Sequence, residues 1–172
     1  MTTIDLRKIS LKIGQALERD VELGLEEILI GAQRFSFFPS EPVGCLTLSR
    51  ALTGMVFKLS FETSLQGPCL RCLNDSRTRV SVDVSEYEAM DATPDPDELQ
   101  NPYLEDEILD LSSWARDAVI LALPGKILCR DECAGLCSSC GFPHSEGECD
   151  CGPPPPDTRW EKLEELRKEL AG

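Results

Sequence analysis

Apolar and polar residues alternate through "MVFKLSFET", which puts Met55, Phe57, Leu59 and Phe61 on one face and Val56, Lys58, Ser60 and Glu62 on the other. A period of two is that of a strand with one buried face. "RVSVDVSEYE" repeats it, with Val80, Val82 and Val84 opposing Ser81, Asp83 and Ser85. Between the runs lies "SLQGPCLRCLNDSR", punctuated by Gly67-Pro68 and Asn74-Asp75, so a turn is predicted there with Cys69 and Cys72 at the tip of a long hairpin. "VELGLEEILI", "RFSFF" and "GCLTLSR" add shorter strand candidates, and Cys45 in the last reads as a small buried hydrophobe. No helix-length crossover separates these runs, which predicts an antiparallel sheet.

The pattern changes after Ala89. "AMDATPDPDELQNPYLED" holds three prolines, many acids and few apolar residues, the composition of a mobile surface loop. "ILDLSSWARDAVILALPG" then predicts a helix capped by Ser112 or Ser113, with Trp114, Ala118, Leu121 and Ala122 along one face and Pro124 stopping it after Leu123. From Ala118 onward it is apolar on nearly all sides, so it should pack deep against the sheet. Past "GPPPPD", a stiff extended spacer, "TRWEKLEELRKELAG" has capping-box spacing at Thr158 and Glu161 and a stripe of Trp160, Leu163, Leu166 and Leu170. That helix either packs back on its own domain or docks another protein.

The expected fold is therefore α+β. An antiparallel β-sheet or small barrel-like core with one packed helix occupies residues 1–128, with an acidic loop at 89–107 and the helix at 112–123. A cysteine-rich, zinc-ribbon-like segment follows at 129–172, with the Pro-rich spacer at 153–156 and a terminal helix at 158–170.

Composition narrows the chemistry. The N-terminus carries no run of seven apolar residues, hence neither a secretory core nor a membrane span, and a cytoplasmic protein is expected. In a reducing compartment clustered cysteines at short regular spacings read as metal ligands or catalytic thiols, and nine is an odd number for a paired framework. The net charge of −14 disfavours extensive contact with phosphate backbones. From Val80 to Trp114 there are eleven acids and no lysine or arginine, a strip that is either a solvated face or a landing site for a basic partner. Arg71, Arg77 and Arg79 form the opposing basic cluster near the hairpin tip.

Eight of the nine cysteines fall into four pairs: Cys69-x2-Cys72, Cys129-x3-Cys133, Cys137-x2-Cys140 and Cys149-x-Cys151. A Cys-x2-Cys turn presents two sulfurs to one ion, and two pairs complete a tetrahedron, which predicts one or two structural Zn2+ ions. Gly141 after Cys140 lets the chain turn back, and Cys149 and Cys151 follow closely enough to close that site locally. The remaining pairs, Cys69 and Cys72 with Cys129 and Cys133, would then form a second site, although Cys69/Cys72 with Cys137/Cys140 is the other partition. His144 in "GFPHSEG" is the chain's single histidine and reads as a loop residue, with a ligand role left open.

Enzymatic readings fare worse. "CAGLCSSC" matches the iron–sulfur motif of radical enzymes that use S-adenosylmethionine, but only 32 residues follow Cys140 where a large barrel is needed. A thiol redox enzyme remains an alternative, although its Cys-x2-Cys would normally open a helix in a βαβ unit. Catalytic zinc requires an open coordination position, usually with histidine or carboxylate ligands. Neither a Ser/His/Asp set nor a phosphate-binding glycine loop is visible, so no enzymatic activity is expected.

The order "CLRCL", acidic loop, "VILALP" running into "LCRDECAGLCSSCG", then "CDC" and "DTRW" resembles the YceD family, the large ribosomal RNA subunit accumulation proteins, from about Leu46 to Leu170. It departs from the family at "GFPHS", where similar proteins carry asparagine in place of His144. The resemblance implies a cytoplasmic, non-enzymatic factor needed for normal levels of large-subunit ribosomal RNA. Together with the charge, it makes a basic ribosomal protein or assembly factor the expected partner, with ribosomal RNA reached directly or indirectly and no membrane involved. A direct RNA-binding zinc-ribbon module is the alternative.

Overall fold

A computed structural model of the chain describes residues 2–89, 100–152, 158–160, 163, 166 and 167. Strands β1 (Thr3–Asp5), β2 (Ala16–Glu22), β3 (Ile28–Ile30), β4 (Gln33–Phe38), β5 (Val43–Arg50), β6 (Gly54–Pro68), β7 (Asp75–Ala89), β8 (Leu104–Glu105) and β9 (Ile108–Asp110) precede helix α1 (Leu111–Ala122). The fold is α+β with antiparallel pairing throughout. β6 and β7 form the spine, pairing along their whole length from Gly54↔Ala89 to Pro68↔Asp75. The other edge of β6 is shared, its first half pairing with β5 and its second half with β4. β2 extends the sheet beyond β5, β3 extends it beyond β4, and β1, β9 and β8 make a small second sheet. No helix among the described residues is long and apolar enough to cross a membrane.

The alternation read in the sequence is the alternation seen. Met55, Phe57, Leu59 and Phe61 are buried, as are Val80 and Val82 across the ladder, and they join Phe35, Leu46, Leu48 and Leu65 in one core. The strands run further than the sequence indicated. Gly67 and Pro68 belong to β6 and Asp75 to β7, so the hairpin loop shrinks to Cys69–Asn74. Gly67 is a packing residue there, because the fully buried ring of Phe35 occupies the space a side chain would need.

α1 lies against β7 and β1 and closes the core with Leu111, Trp114, Ala115, Ala118 and Val119, which follow the 3.6-residue period. Two expectations are corrected. Leu121 is 84% exposed and Ala122 is also exposed, because the last turn projects past the sheet. The cap is Asp110 and neither serine: its Oδ1 accepts from the Ser113 amide at 3.1 Å and its Oδ2 from the Ser113 hydroxyl at 2.7 Å. Burial alone would raise the Asp110 carboxyl, but the Ser113 hydroxyl and the Ser113 and Ser112 amides hold it below its ordinary value. Asp110→Ala is expected to lower stability by about 1 kcal/mol, read as a lower denaturant midpoint at unchanged slope. Because the folded pKa is depressed, the cap stabilises above the ordinary carboxylate value of about 4, and the gap to wild type closes as pH falls through the folded value.

The segment expected to be a loop at 89–107 is ordered at its described ends. Ala89 ends β7, and Asn101 is buried, its amide donating to Glu88 Oε2 at 2.8 Å while its Oδ1 accepts from the Tyr103 amide at 3.0 Å. Tyr103 stacks on Trp114 with ring centroids 6.1 Å apart and reaches Asp117 Oδ2 at 3.3 Å, fastening the return strand to the helix. Residues 90–99 and the spacer 153–156 lie outside the described residues, as does much of the expected helix 158–170. Of that helix, Thr158–Trp160 form a 3-10 turn, and Trp160, Leu163 and Leu166 are exposed. Cys45 is half-buried, not buried: it sits opposite Asp20, and its thiol is pushed up by burial and then by Glu18.

Candidate metal centre

The hairpin tip is built as a knuckle. Its chain leaves β6 at Cys69, whose carbonyl accepts from the Leu73 amide at 3.0 Å and whose amide donates to the Asn74 carbonyl at 2.7 Å. This tight loop turns the Arg71 amide toward Cys69 Sγ at 3.4 Å. The same three bonds recur 68 residues later: Gly141 donates to the Cys137 carbonyl at 2.9 Å, Cys137 donates to the Phe142 carbonyl at 2.8 Å, and the Ser139 amide meets Cys137 Sγ at 3.4 Å. Even the residue after the second cysteine agrees, Leu73 at φ 64° and Gly141 at φ 75°. Glycine adopts that conformation freely, whereas leucine pays strain on the order of 1 kcal/mol or more. The hairpin holds Leu73 in it regardless.

Each knuckle is completed by a second pair. Cys69, Cys72, Cys129 and Cys133 converge with all sulfurs within 4.8 Å of one another, and so do Cys137, Cys140, Cys149 and Cys151. Four sulfurs about 2.3 Å from one zinc ion stand about 3.8 Å apart at the edges of a tetrahedron. The observed separations of 3.8 Å for Cys69–Cys133 and 3.6 Å for Cys72–Cys129 fit that shape. The donor chemistry fits as well, since four thiolates suit a closed structural site and leave no position for substrate. His144 is exposed, lies beside Cys137, Cys149 and Cys151, and is not among the converging donors.

The clusters differ in depth. Cys69, Cys72 and Cys133 are buried in a small core of their own, with a half-buried Leu128 packed against them, while Cys129 is exposed. In the second cluster Cys140 and Cys151 are exposed and the other two half-buried. Without a cation the thiols of each set oppose one another. Burial would raise Cys69, yet the Cys72, Arg71 and Cys129 amides bring it to about 6, whereas Cys129 is pushed up to about 12 by burial and by hydrogen bonding with Cys72. The second set repeats this, Cys137 lowered to about 6 by the Cys140 and Ser139 amides and Cys151 raised to about 12 by Cys140 and then by burial. Four thiols so close together cannot all ionise unaided, and a divalent cation among them removes that repulsion.

Hydrogen bonds lock the cysteine-rich segment onto the hairpin. The Leu70 amide donates to the Ile127 carbonyl at 2.9 Å, and the Arg71 guanidinium donates to the Cys133 carbonyl at 2.8 Å. Asn74 donates from Nδ2 to Ser145 Oγ at 3.1 Å and to Glu146 Oε1 at 3.2 Å, so the same tip also touches the loop of the second cluster. The cysteine spacings indicated the pairs. They gave no sign of Arg71 as the side chain that ties the hairpin tip to Cys133, or of Asn74 as the one that reaches the loop of the second cluster.

A sequence model described as large ribosomal RNA subunit accumulation protein YceD matches residues 57–167. Uncharacterized proteins of Mycobacterium bovis and Mycobacterium tuberculosis are each 39% identical over 111 residues, covering 58% of this chain and 49% of theirs. One of Mycobacterium leprae is 33% identical over 78 residues, 42% of this chain and 35% of its own. The chain thus spans about half the length of the first of these relatives. No solved structure matches.

Proposed function

The chain belongs to the YceD family of large ribosomal RNA subunit accumulation proteins, and from that premise we propose that it is a non-enzymatic assembly factor holding a basic ribosomal or assembly protein on its acidic surface. We read the molecule as a β-rich core of residues 1–128 to which segment 129–172 is stapled. The ligands are Cys69, Cys72, Cys129 and Cys133 for one structural zinc ion and Cys137, Cys140, Cys149 and Cys151 for the other. Zinc bound there supplies rigidity in place of a large local core. Because each site is closed by four sulfurs, neither leaves an open position for hydrolysis or a free thiol for redox exchange.

The observation that supports the adaptor is an exposed acidic turn. Glu105, Asp106 and Glu107 are all exposed on the β8–β9 turn, where Asp106 and Glu107 take φ of 50° and 61°, a left-handed pair that projects both side chains outward. Glu86 and Glu88 lie along the adjoining end of β7, while Asp83, further back on the strand, is paired with Lys58 at 3.1 Å. A surface of this sign attracts lysine- and arginine-rich proteins, and the attraction is screened by salt.

Capture by the tagged full-length protein tests this reading. Basic large-subunit proteins should be retained at about 100 mM KCl and released near 500 mM, as screening shortens from about 10 Å toward 3 Å. A variant with Glu105→Lys, Asp106→Lys and Glu107→Lys should lose them at the lower salt while keeping its zinc. Recovery of naked ribosomal RNA as the main tight ligand, with no protein partner, overturns the adaptor.

A further inference from the structure

A second surface, opposite in sign, lies at the other end of the long hairpin, and we propose that it binds single-stranded RNA. Cross-strand register builds it. Ser36, Gln66 and Arg77 form one row across β4, β6 and β7, and Phe38, Ser64 and Arg79 form the next. The intervening residues Phe37 and Leu65 point into the core, so these two rows make the outer face. Phe38 is 56% exposed, and the Arg77 guanidinium carbon lies 4.8 Å from its ring centroid. Among the described residues neither Arg77 nor Arg79 has a carboxylate within ion-pair distance, while Arg34, further along β4, reaches Glu27 only at 3.9 Å. Glu62 on β6 and Asp75 at the start of β7 bracket the face.

A large apolar ring held in water beside unneutralised guanidinium groups fits a ligand with flat faces and anionic links. Single-stranded RNA has both. Its bases stack on aromatic rings and on guanidinium planes, and its phosphates take the forked donors of arginine. Ser36, Ser64 and Gln66, between the charged and aromatic groups, match base edges and 2′-hydroxyls. A duplex would hide its bases from Phe38, and an acidic peptide would use the arginines but not the ring. The acidic surface does not defeat this. Asp83, the nearest of those acids, is four residues from Arg79 on β7, about 13 Å at the rise of a strand, and is paired with Lys58, while charges act over about 8 Å at physiological salt. The proposal goes beyond the adaptor reading and does not depend on it.

Fluorescence anisotropy of a labelled 12-nucleotide single-stranded RNA on the zinc-loaded full-length protein tests the face. Binding should weaken with salt at a log–log slope of about −1.4 to −2.1, the value for two or three phosphates on a single strand. Phe38→Ala should weaken it at least about 5-fold, the lower bound for one lost stack. Arg77→Gln with Arg79→Gln should weaken it at least about 10-fold and flatten the slope, while Arg77→Lys keeps the slope and loses affinity. Arg7→Gln with Lys8→Gln, remote from the face, should change neither. All substituted positions are exposed, so unchanged zinc content and thermal midpoint verify folding. The proposal fails if no binding is seen at about 100 μM protein, or if Phe38→Ala and the double arginine variant bind as wild type does. Equal affinity for a duplex of the same sequence, or for a poly-glutamate peptide of the same length, overturns it too. The Glu105, Asp106 and Glu107 variant should bind this RNA at least as well as wild type, which separates this outcome from that of the adaptor test.

Discussion

Cys69→Ser is expected to reduce bound zinc from two equivalents to one and to lower the thermal midpoint by about 8–16 °C. Cys69 is fully buried at the hairpin tip, and its removal leaves Cys72 and Cys133 buried without the fourth donor. A hydroxyl is shorter than a thiol and a harder ligand, so serine does not restore the site. Structural zinc supplies an apparent 10–16 kcal/mol in zinc-finger peptides, as much as the whole stability of an ordinary domain at about 5–15 kcal/mol. Here the core is separate from the site, with Phe57, Leu59 and Trp114 in one cluster and Cys69, Cys72 and Cys133 in another. Only part of that energy is therefore lost from the sheet, and about 4 kcal/mol corresponds to the shift given at this chain length. Zinc content by atomic emission and a melting curve check both halves. Retention of two equivalents with an unchanged midpoint would remove Cys69 from the ligand set.

The parts of the fold that were legible are those where one residue's neighbours in sequence are also its neighbours in space. Period-two alternation across Met55–Phe61 and Val80–Val84 marked the strands because a β-strand's faces are fixed by its own backbone. The four cysteine pairs were legible because a knuckle is local. What escaped depends on contacts between distant segments. Gly67 looked like a turn signal, and only Phe35 packing over it from β4 makes it a strand residue. Leu73 gave no sign of a left-handed position, since glycine is its usual marker and hairpin closure imposes the conformation instead. Asp110 was passed over as a cap in favour of serines two and three residues too late, and Leu121 was placed on the core face because the apolar run continues past the sheet's edge. Arg77 and Arg79 were visible as a cluster, but their pairing with Phe38 rests on register between residues about forty positions apart. No local pattern carries that.

The second large effect follows from the unequal depth of the two clusters. A chelator or a thiol reagent must reach sulfur or metal, and in the second set Cys140 and Cys151 are exposed while the others are half-buried. In the first set three of four sulfurs are buried, and Arg71 spans from the knuckle to the Cys133 carbonyl across one side. Opening the first site therefore requires the hairpin tip to separate from residues 127–133, breaking the Leu70–Ile127 and Arg71–Cys133 hydrogen bonds. Opening the second requires movement of a short surface loop, which belongs to the low end of local unfolding free energies. Zinc release to an excess of a chromogenic chelator is thus expected in two phases of one equivalent each, the fast one leaving the thermal midpoint almost unchanged. Each 1.4 kcal/mol between the opening energies separates the rates about tenfold, and a gap of about 3 kcal/mol gives more than a hundredfold. Cys140→Ser should abolish the fast phase and keep the slow one, because the two clusters share no cysteine. A single phase in the wild type, or loss of the slow phase in Cys140→Ser, would show that the sulfurs are divided otherwise, since a pairing of Cys69 and Cys72 with Cys137 and Cys140 puts the exposed Cys140 in the same set as the buried hairpin pair.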